Sequence, residues 1–235
     1  MKNSVSCPNC NTENPFYNLN CSNCRTYLRE RVYNLDLWST ISSMVETPSK
    51  AFKTIILSEH KNFIFFILLI LSLKYLINAR FISMLSLGGF ESTISLQYSY
   101  LIMLGLTVIY LTGFSSLYTL AGKKDSFIRF KDTFSIIIYS QIPYVFGLII
   151  LFTLELVLFG DYLFSKNPTP FVIKGFFAYL FLLLELTTVI WSAILVLKAF
   201  LVQTNQKLFS VLASIIFFVL LWLMIYFCSL IVFTI

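Results

Sequence analysis

Four of the five cysteines fall in two C-x-x-C pairs, Cys7-Pro8-Asn9-Cys10 and Cys21-Ser22-Asn23-Cys24, with ten residues between them. Two such pairs supply what a tetrahedral Zn(II) site needs. Each forms a tight turn whose sulfurs converge on one ion, and a short hairpin brings the turns together. The Asn-rich turns suit these bends, because Asn tolerates left-handed backbone. A stretch of about 25 residues buries too little apolar surface to fold alone, so the metal is expected to supply most of its folding free energy. Four thiolates leave no open position, which makes the zinc structural rather than catalytic. The competing readings are a pair of disulfides or a ribbon that no longer binds metal. Paired knuckles rarely serve as structural disulfides in the cytosol, and a redox C-x-x-C would open a helix in a βαβ setting that is missing here.

The second set of chemically capable residues lies inside long apolar runs: Lys74 and Arg80, then Glu155, then Glu185 and Lys198. A lone charge near the bilayer midplane costs at least ~2.5–3.5 kcal/mol, so each needs a partner or a route to water. At ~1.5 Å per residue, Lys74 sits ~16 Å from the inner end of its run and Glu185 ~15 Å from the outer end of its own. Both depths are central, which predicts a Lys74–Glu185 pair. Arg80 is expected to reach Glu155 or to snorkel outward, and Lys198 to snorkel. Glu185, Thr188 and Ser192 share one helical face, and Gln141, Tyr144 and Glu155 another. Gly105, Thr112 and Thr119 suggest a helix–helix contact in the second span. His60 reads as incidental and Cys228 as a small core residue. No Ser/His/Asp set, H-E-x-x-H pattern or phosphate loop appears, so no enzymatic activity is expected.

The elements that position these residues follow from composition. Of 235 residues, 58% are hydrophobic and 12% charged, and mean hydropathy is +0.83. That excludes an ordinary soluble domain. The first 20 residues lack an apolar core and contain two cysteines, so no cleavable signal peptide is expected. The fold class is an all-α polytopic membrane protein. Residues 1–29 form the tetracysteine zinc ribbon and residues 30–61 an amphipathic linker of interfacial helices. Residues 62–235 form five transmembrane helices: Phe63–Met84, Tyr98–Ala121, Phe134–Phe159, Gly175–Val202 and Leu208–Thr234. In the linker, Leu37, Ile41, Met44, Val45, Phe52, Ile55 and Ile56 recur at helical steps. Thr47-Pro48 marks a break, with Thr as N-cap and Pro at the first helical position. The greasy face packs either on lipid, with Trp38 as anchor, or on the protein's own spans. Pro143 kinks the third span, or else a surface helix ends near Gln141 and the span begins at Ile142.

Lys and Arg set the orientation. Lys50, Lys53 and Lys61 precede the first span, and the first gap, Leu85–Gln97, has none. The second gap has Lys123, Lys124, Arg129 and Lys131, and the third only Lys166 and Lys174. The fourth is flanked by Lys198 and Lys207. The alternation predicts a cytoplasmic N-terminus and a C-terminus outside, which keeps the thiols in a reducing compartment. A net charge of +6 forms no continuous stripe, so nucleic acid is not expected and lipid is.

Residues 7–28 resemble the N-terminal zinc ribbons of many bacterial membrane proteins. Leu37-Trp38-Ser39-Thr40-Ile41 leading to Pro48 and Phe52 carries a second likeness, with Tyr139-Ser140-Gln141-Ile142-Pro143, Trp191 and the short turn Gln203–Gln206. Together these resemble the Yip family of five-span, Rab-GTPase-interacting membrane proteins, over about residues 35–235. The resemblance implies the same orientation and, in a bacterial-looking chain, the plasma membrane. Eukaryotic relatives act in vesicle traffic, and none of their GTPase-contacting residues can be carried over. The expected function is a non-enzymatic adaptor or scaffold that presents its zinc ribbon to a protein partner at the cytoplasmic face, in membrane organisation or trafficking. A homo-oligomer is left open. The alternative is a small transporter or channel that uses the intramembrane charges, although five spans without an inverted repeat argue against a standard carrier.

Overall fold

The computed structural model describes residues 4–86, 94–122, 127–165 and 167–233. Lys123, Lys124 and Lys166, which enter the charge alternation, and Thr234, the predicted end of the fifth span, lie outside these residues.

The chain is mostly helical and carries a cysteine cluster at its N-terminus. Among the described residues, five helices are long and apolar enough to cross a membrane: Ile64–Met84, Leu96–Gly122, Phe130–Phe164, Gly175–Thr204 and Lys207–Phe233. The shortest has 21 residues. At ~1.5 Å per residue that just covers the ~30 Å hydrocarbon layer. Only 28% to 44% of each apolar window is buried within the chain. Phe65, Leu101, Ile109, Leu117, Leu183 and Ile216 all face outward. Apolar exposure on that scale is compatible with an integral membrane protein.

Ahead of these helices, β1 (Ser4–Ser6) pairs antiparallel with β2 (Glu13–Pro15), with Ser4 opposite Pro15. β3 (Val32–Asn34) is followed by α1 (Leu37–Glu46), α2 (Pro48–Leu57) and β4 (Ser58–His60). β3 and β4 pair in parallel, Val32 with Ser58 and Asn34 with His60. Asp36 caps α1 by accepting from the Ser39 N–H at 2.8 Å. Pro48 opens α2, where its missing N–H costs nothing, but the Thr47 hydroxyl makes no capping bond.

The helical part continues as α3 (Ile64–Ser86), α4 (Leu96–Gly122), α5 (Phe130–Ser140) and α6 (Ile142–Phe146). A π-helical turn over Gly147–Phe152 leads into α7 (Thr153–Phe159), a 3₁₀ turn over Gly160–Phe164 and α8 (Pro170–Ile173). Two long helices follow, α9 (Gly175–Thr204) and α10 (Lys207–Phe233). The third candidate span therefore starts at Phe130, four residues before the predicted Phe134. It breaks at Gln141, whose φ of −89° and ψ of 6° leave the helical region. Pro143 is the cause, since its ring excludes the carbonyl four residues back. The end of α5 at Ser140 and the start of α6 at Ile142 match the bounds of the second alternative, and eight of the eleven residues of α5 are buried within the chain.

The described chain divides into two compact units. The first takes residues 1–65, 112–140 and 195–216. In it α2 turns Ala51, Phe52, Ile55 and Ile56 inward and packs against α5, so that apolar face is satisfied by protein. Gln203 donates to Thr133 Oγ1 at 2.9 Å, Thr119 donates to the same oxygen at 3.2 Å, and Tyr118 stacks on Phe200 at 4.3 Å. The Tyr139 hydroxyl donates to the Asn62 carbonyl. Gly105 is not at a helix–helix contact: an added Cβ would meet nothing within 4 Å. The predicted contact face of the second span survives at Thr119.

The second unit takes residues 66–111, 141–194 and 217–235. Gln141 Oε1 accepts from Tyr75 (3.2 Å) and Ser192 (3.1 Å), and Phe146 lies parallel to Trp191. The π turn holds one residue more than an α turn. Eight residues on an α-helix end about 80° out of phase, and the extra residue removes that offset. Gly147 and Glu155, eight apart, thus both lie buried.

Candidate metal centre and buried ionic networks

Cys7, Cys10, Cys21 and Cys24 bring their sulfurs within 4.8 Å of one another. Cys7 Sγ lies 3.4 Å from Cys24 Sγ, and Cys10 Sγ 3.6 Å from Cys21 Sγ. Four sulfurs ~2.3 Å from one ion stand about 3.8 Å apart, so the cluster can hold a metal in tetrahedral geometry.

The two knuckles repeat one local design, C-x-x-C-x-T. Cys7 N–H donates to Thr12 O and Asn11 N–H to Cys7 O, each at 3.0 Å. Cys21 N–H donates to Thr26 O at 2.9 Å and Arg25 N–H to Cys21 O at 3.1 Å. The left-handed residues are Asn11 (φ 55°) and Arg25 (φ 60°), one after each second cysteine, rather than Asn9 and Asn23 within the turns. Thr12 Oγ1 sits 3.3 Å from Cys10 Sγ and Thr26 Oγ1 3.2 Å from Cys24 Sγ, and these contacts hold both thiols below the ordinary value. Backbone amides, that of Cys24 foremost, do the same for Cys21. Cys7 is drawn down by the Asn9 amide, but burial and the neighbouring Cys24 and Cys10 thiols lift it to about 11. Thiols that crowd one another while receiving donors are ready to exchange protons for a cation.

Asn14, fully buried in β2, ties the knuckles together. Its amide donates to Thr12 O (2.8 Å) and Cys21 Sγ (3.4 Å), while its oxygen accepts from the Ser22 N–H and hydroxyl, both at 2.9 Å. A β-branched residue at the left-handed Arg25 position costs ~1–2 kcal/mol. Arg25→Val is therefore expected to weaken metal retention about tenfold in competition with a chelating dye, and Arg25→Gly to leave it intact.

A second network, in the first unit, gathers at the C-terminus of α2. Lys61 Nζ donates to the carbonyls of Ile55 and Ile56, the latter at 3.0 Å. Arg29 Nη2 donates to Leu57 O at 3.1 Å, and Arg129 Nη2 to Ile56 O at 3.5 Å. Three cations thus meet the unsatisfied carbonyls and negative pole of one helix. Asp132, in the first turn of α5, answers two of them: Oδ1 lies 3.1 Å from Lys61 Nζ, and Oδ2 accepts from Arg129 Nε at 2.7 Å. The side chains of Lys61 and Asp132 are 3% and 1% exposed. Burial pushes the Lys61 ammonium down to about 8, against the upward pull of Asp132. Glu59 takes Arg31 in a bidentate pair at 2.7 and 2.9 Å, and its carbonyl accepts from Lys131 at 2.7 Å. Being exposed, the Arg31–Glu59 pair contributes little.

The third network is in the second unit. Lys74, with its side chain 1% exposed, places Nζ 2.6 Å from Glu185 Oε1. Gly147 packs beside the pair: a Cβ there would make ordinary van der Waals contact, 3.4 Å from Lys74 Cε and 3.7 Å from Glu185 Oε1. Arg80 does not reach Glu155. Its guanidinium lies over the Phe233 ring, 5.1 Å from the centroid, while Glu155 is buried and its Oε2 has no hydrogen-bond partner among the described residues. Lys198 and His60 are exposed and Cys228 is buried.

No family model, curated protein or solved structure matches this chain. Function is therefore read from side-chain chemistry. Sequence reasoning counted Lys61 and Arg129 only for topology, and it passed over Asp132, Arg29, Tyr17 and Asn14. A signal existed for two of them. The repeated C-x-x-C-x-T frames a hairpin whose inner polar residue must bond across it, and an acid between Phe130 and Phe134 sits at an apolar helix start.

Proposed function

We propose that the chain is a non-enzymatic membrane adaptor in which a cytoplasmic zinc ribbon is carried on a five-span, Yip-like domain. The observation that carries it is the closed four-thiol cluster. Every donor is a cysteine, so a bound ion would keep no position for substrate, and Zn(II) is the ion that such a set prefers. The Lys74–Glu185 pair supports the same reading, because the charge that most invited a transport role is neutralised inside the protein. The alternation of Lys and Arg supports a cytoplasmic N-terminus, in a bacterial plasma membrane. Trp38 and Val45, seven residues apart on α1 and both exposed, suit the headgroup layer. Tyr27 on the ribbon and Tyr33 just after it, both exposed, offer an aromatic contact surface to a protein partner.

Photo-crosslinking from Tyr27 or Tyr33 in native membranes tests this. A single recurrent adduct that vanishes when Cys7 and Cys10 become serine is the expected result. No adduct, or one indifferent to those cysteines, overturns the adaptor reading.

Glu155 favours a second reading, a small transporter or channel, because a buried carboxyl whose Oε2 has no hydrogen-bond partner among the described residues is uncommon in a purely structural span. Ion or proton flux in proteoliposomes that Glu155→Gln abolishes would establish that reading, and silent liposomes would remove it.

A further inference from the structure

Tyr17 lies in the spacer between the two thiol pairs and is held by two arginines from different parts of the first unit. Its carbonyl accepts from Arg29 Nε at 3.2 Å and Nη2 at 2.8 Å. Its ring lies under the Arg129 guanidinium, 3.8 Å from the centroid. The same two guanidiniums bind the α2 carbonyls, and that of Arg129 also binds Asp132. We propose that the four-thiolate site is a metal-dependent latch: the ion shapes the Tyr17 loop, and the loop holds Arg129 in place over the Lys61–Asp132 pair at the head of the third span.

This rests on the zinc-ribbon reading and adds to it what the ribbon controls. The spacer has little else to define its path. Between residues 4 and 28 only Cys7, Asn14, Phe16 and Cys21 are buried, and two of these are ligands. Without the ion such a segment lacks the apolar burial to stay folded, so Tyr17 leaves its seat. The chain after the ribbon stays attached, because β3–β4 pairing and the Arg31–Glu59 contact involve no metal-shaped residue. Metal loss therefore frees one aromatic loop and loosens one ionic hub, and does not detach the whole segment. A cation–π contact plus the hydrogen bonds to one carbonyl is of the size that shifts a local opening equilibrium about tenfold.

Hydrogen exchange on the full-length protein in nanodiscs tests the latch, with zinc content measured on the same samples. Removing zinc with a chelator should speed exchange about tenfold at residues 56–61 and 129–134, and leave residues 66–86 unchanged. Tyr17→Ala should reproduce that pattern with zinc still bound. If zinc binds and leaves but residues 56–61 and 129–134 do not respond, or if Tyr17→Ala is silent, the latch is wrong and the ribbon stands. If chelation speeds exchange throughout the spans, the latch is wrong because the coupling is global. If the four-thiol protein takes up no zinc, the ribbon reading fails and the latch with it.

Discussion

Glu185→Lys is expected to prevent stable folding of the chain, and adding Lys74→Glu to restore most of it. Lys74 is almost fully buried and its ammonium rests on one Glu185 oxygen at 2.6 Å. Removing the partner of a buried ion costs about 3–5 kcal/mol, and placing a second cation there costs more. The exchanged pair restores opposite charges at the same two positions. Replacing both by apolar residues, Lys74→Met with Glu185→Leu, is expected to be neutral or stabilising, since desolvating two charges offsets much of their attraction. Thermal unfolding in detergent separates these outcomes. A harmless Glu185→Lys, or a double swap no better than the single, would remove the pair from any structural role.

Asp132→Ala should be nearly as damaging, by about 3–5 kcal/mol, because it strands the Lys61 ammonium with only helix carbonyls for company. The two side chains are 3% and 1% exposed, so water cannot take over. Asp132→Asn keeps an acceptor and should cost roughly half as much. Removing both charges, Lys61→Met with Asp132→Ala, should recover stability, which a simple packing defect at Asp132 would not allow. The lysine itself can be followed by NMR of ¹³C-labelled Lys: one ammonium should titrate near pH 8, and its signal should vanish in Lys61→Arg.

The apolar runs and the paired C-x-x-C spacing made the helical architecture and the sulfur cluster legible from residues alone. Both signals are strong because lipid and metal each impose a length or a spacing that little else requires. The sequence reading allowed for a kink or a break at Pro143 but not for the π turn that follows it. Pro143 ends α5 at Ser140 and the π turn from Gly147 adds a residue, and Gln141, Tyr144 and Glu155 all lie buried. Gly105 was read as a contact residue because small residues often are, yet it faces open space. Asp132 escaped notice because an acid at a helix start usually faces solvent. Its burial depends on Lys61, seventy-one residues earlier, and no local pattern carries that.

A membrane-impermeant maleimide, applied to intact cells and to inside-out vesicles, bears most directly on a metal-filled ribbon at the cytosolic face. Cys7, Cys10, Cys21 and Cys24 should stay unlabelled in intact cells, and in vesicles should react only after a chelator strips the ion. Labelling from the cell exterior would reverse the orientation, and rapid labelling in vesicles without chelator would mean that no metal is held there.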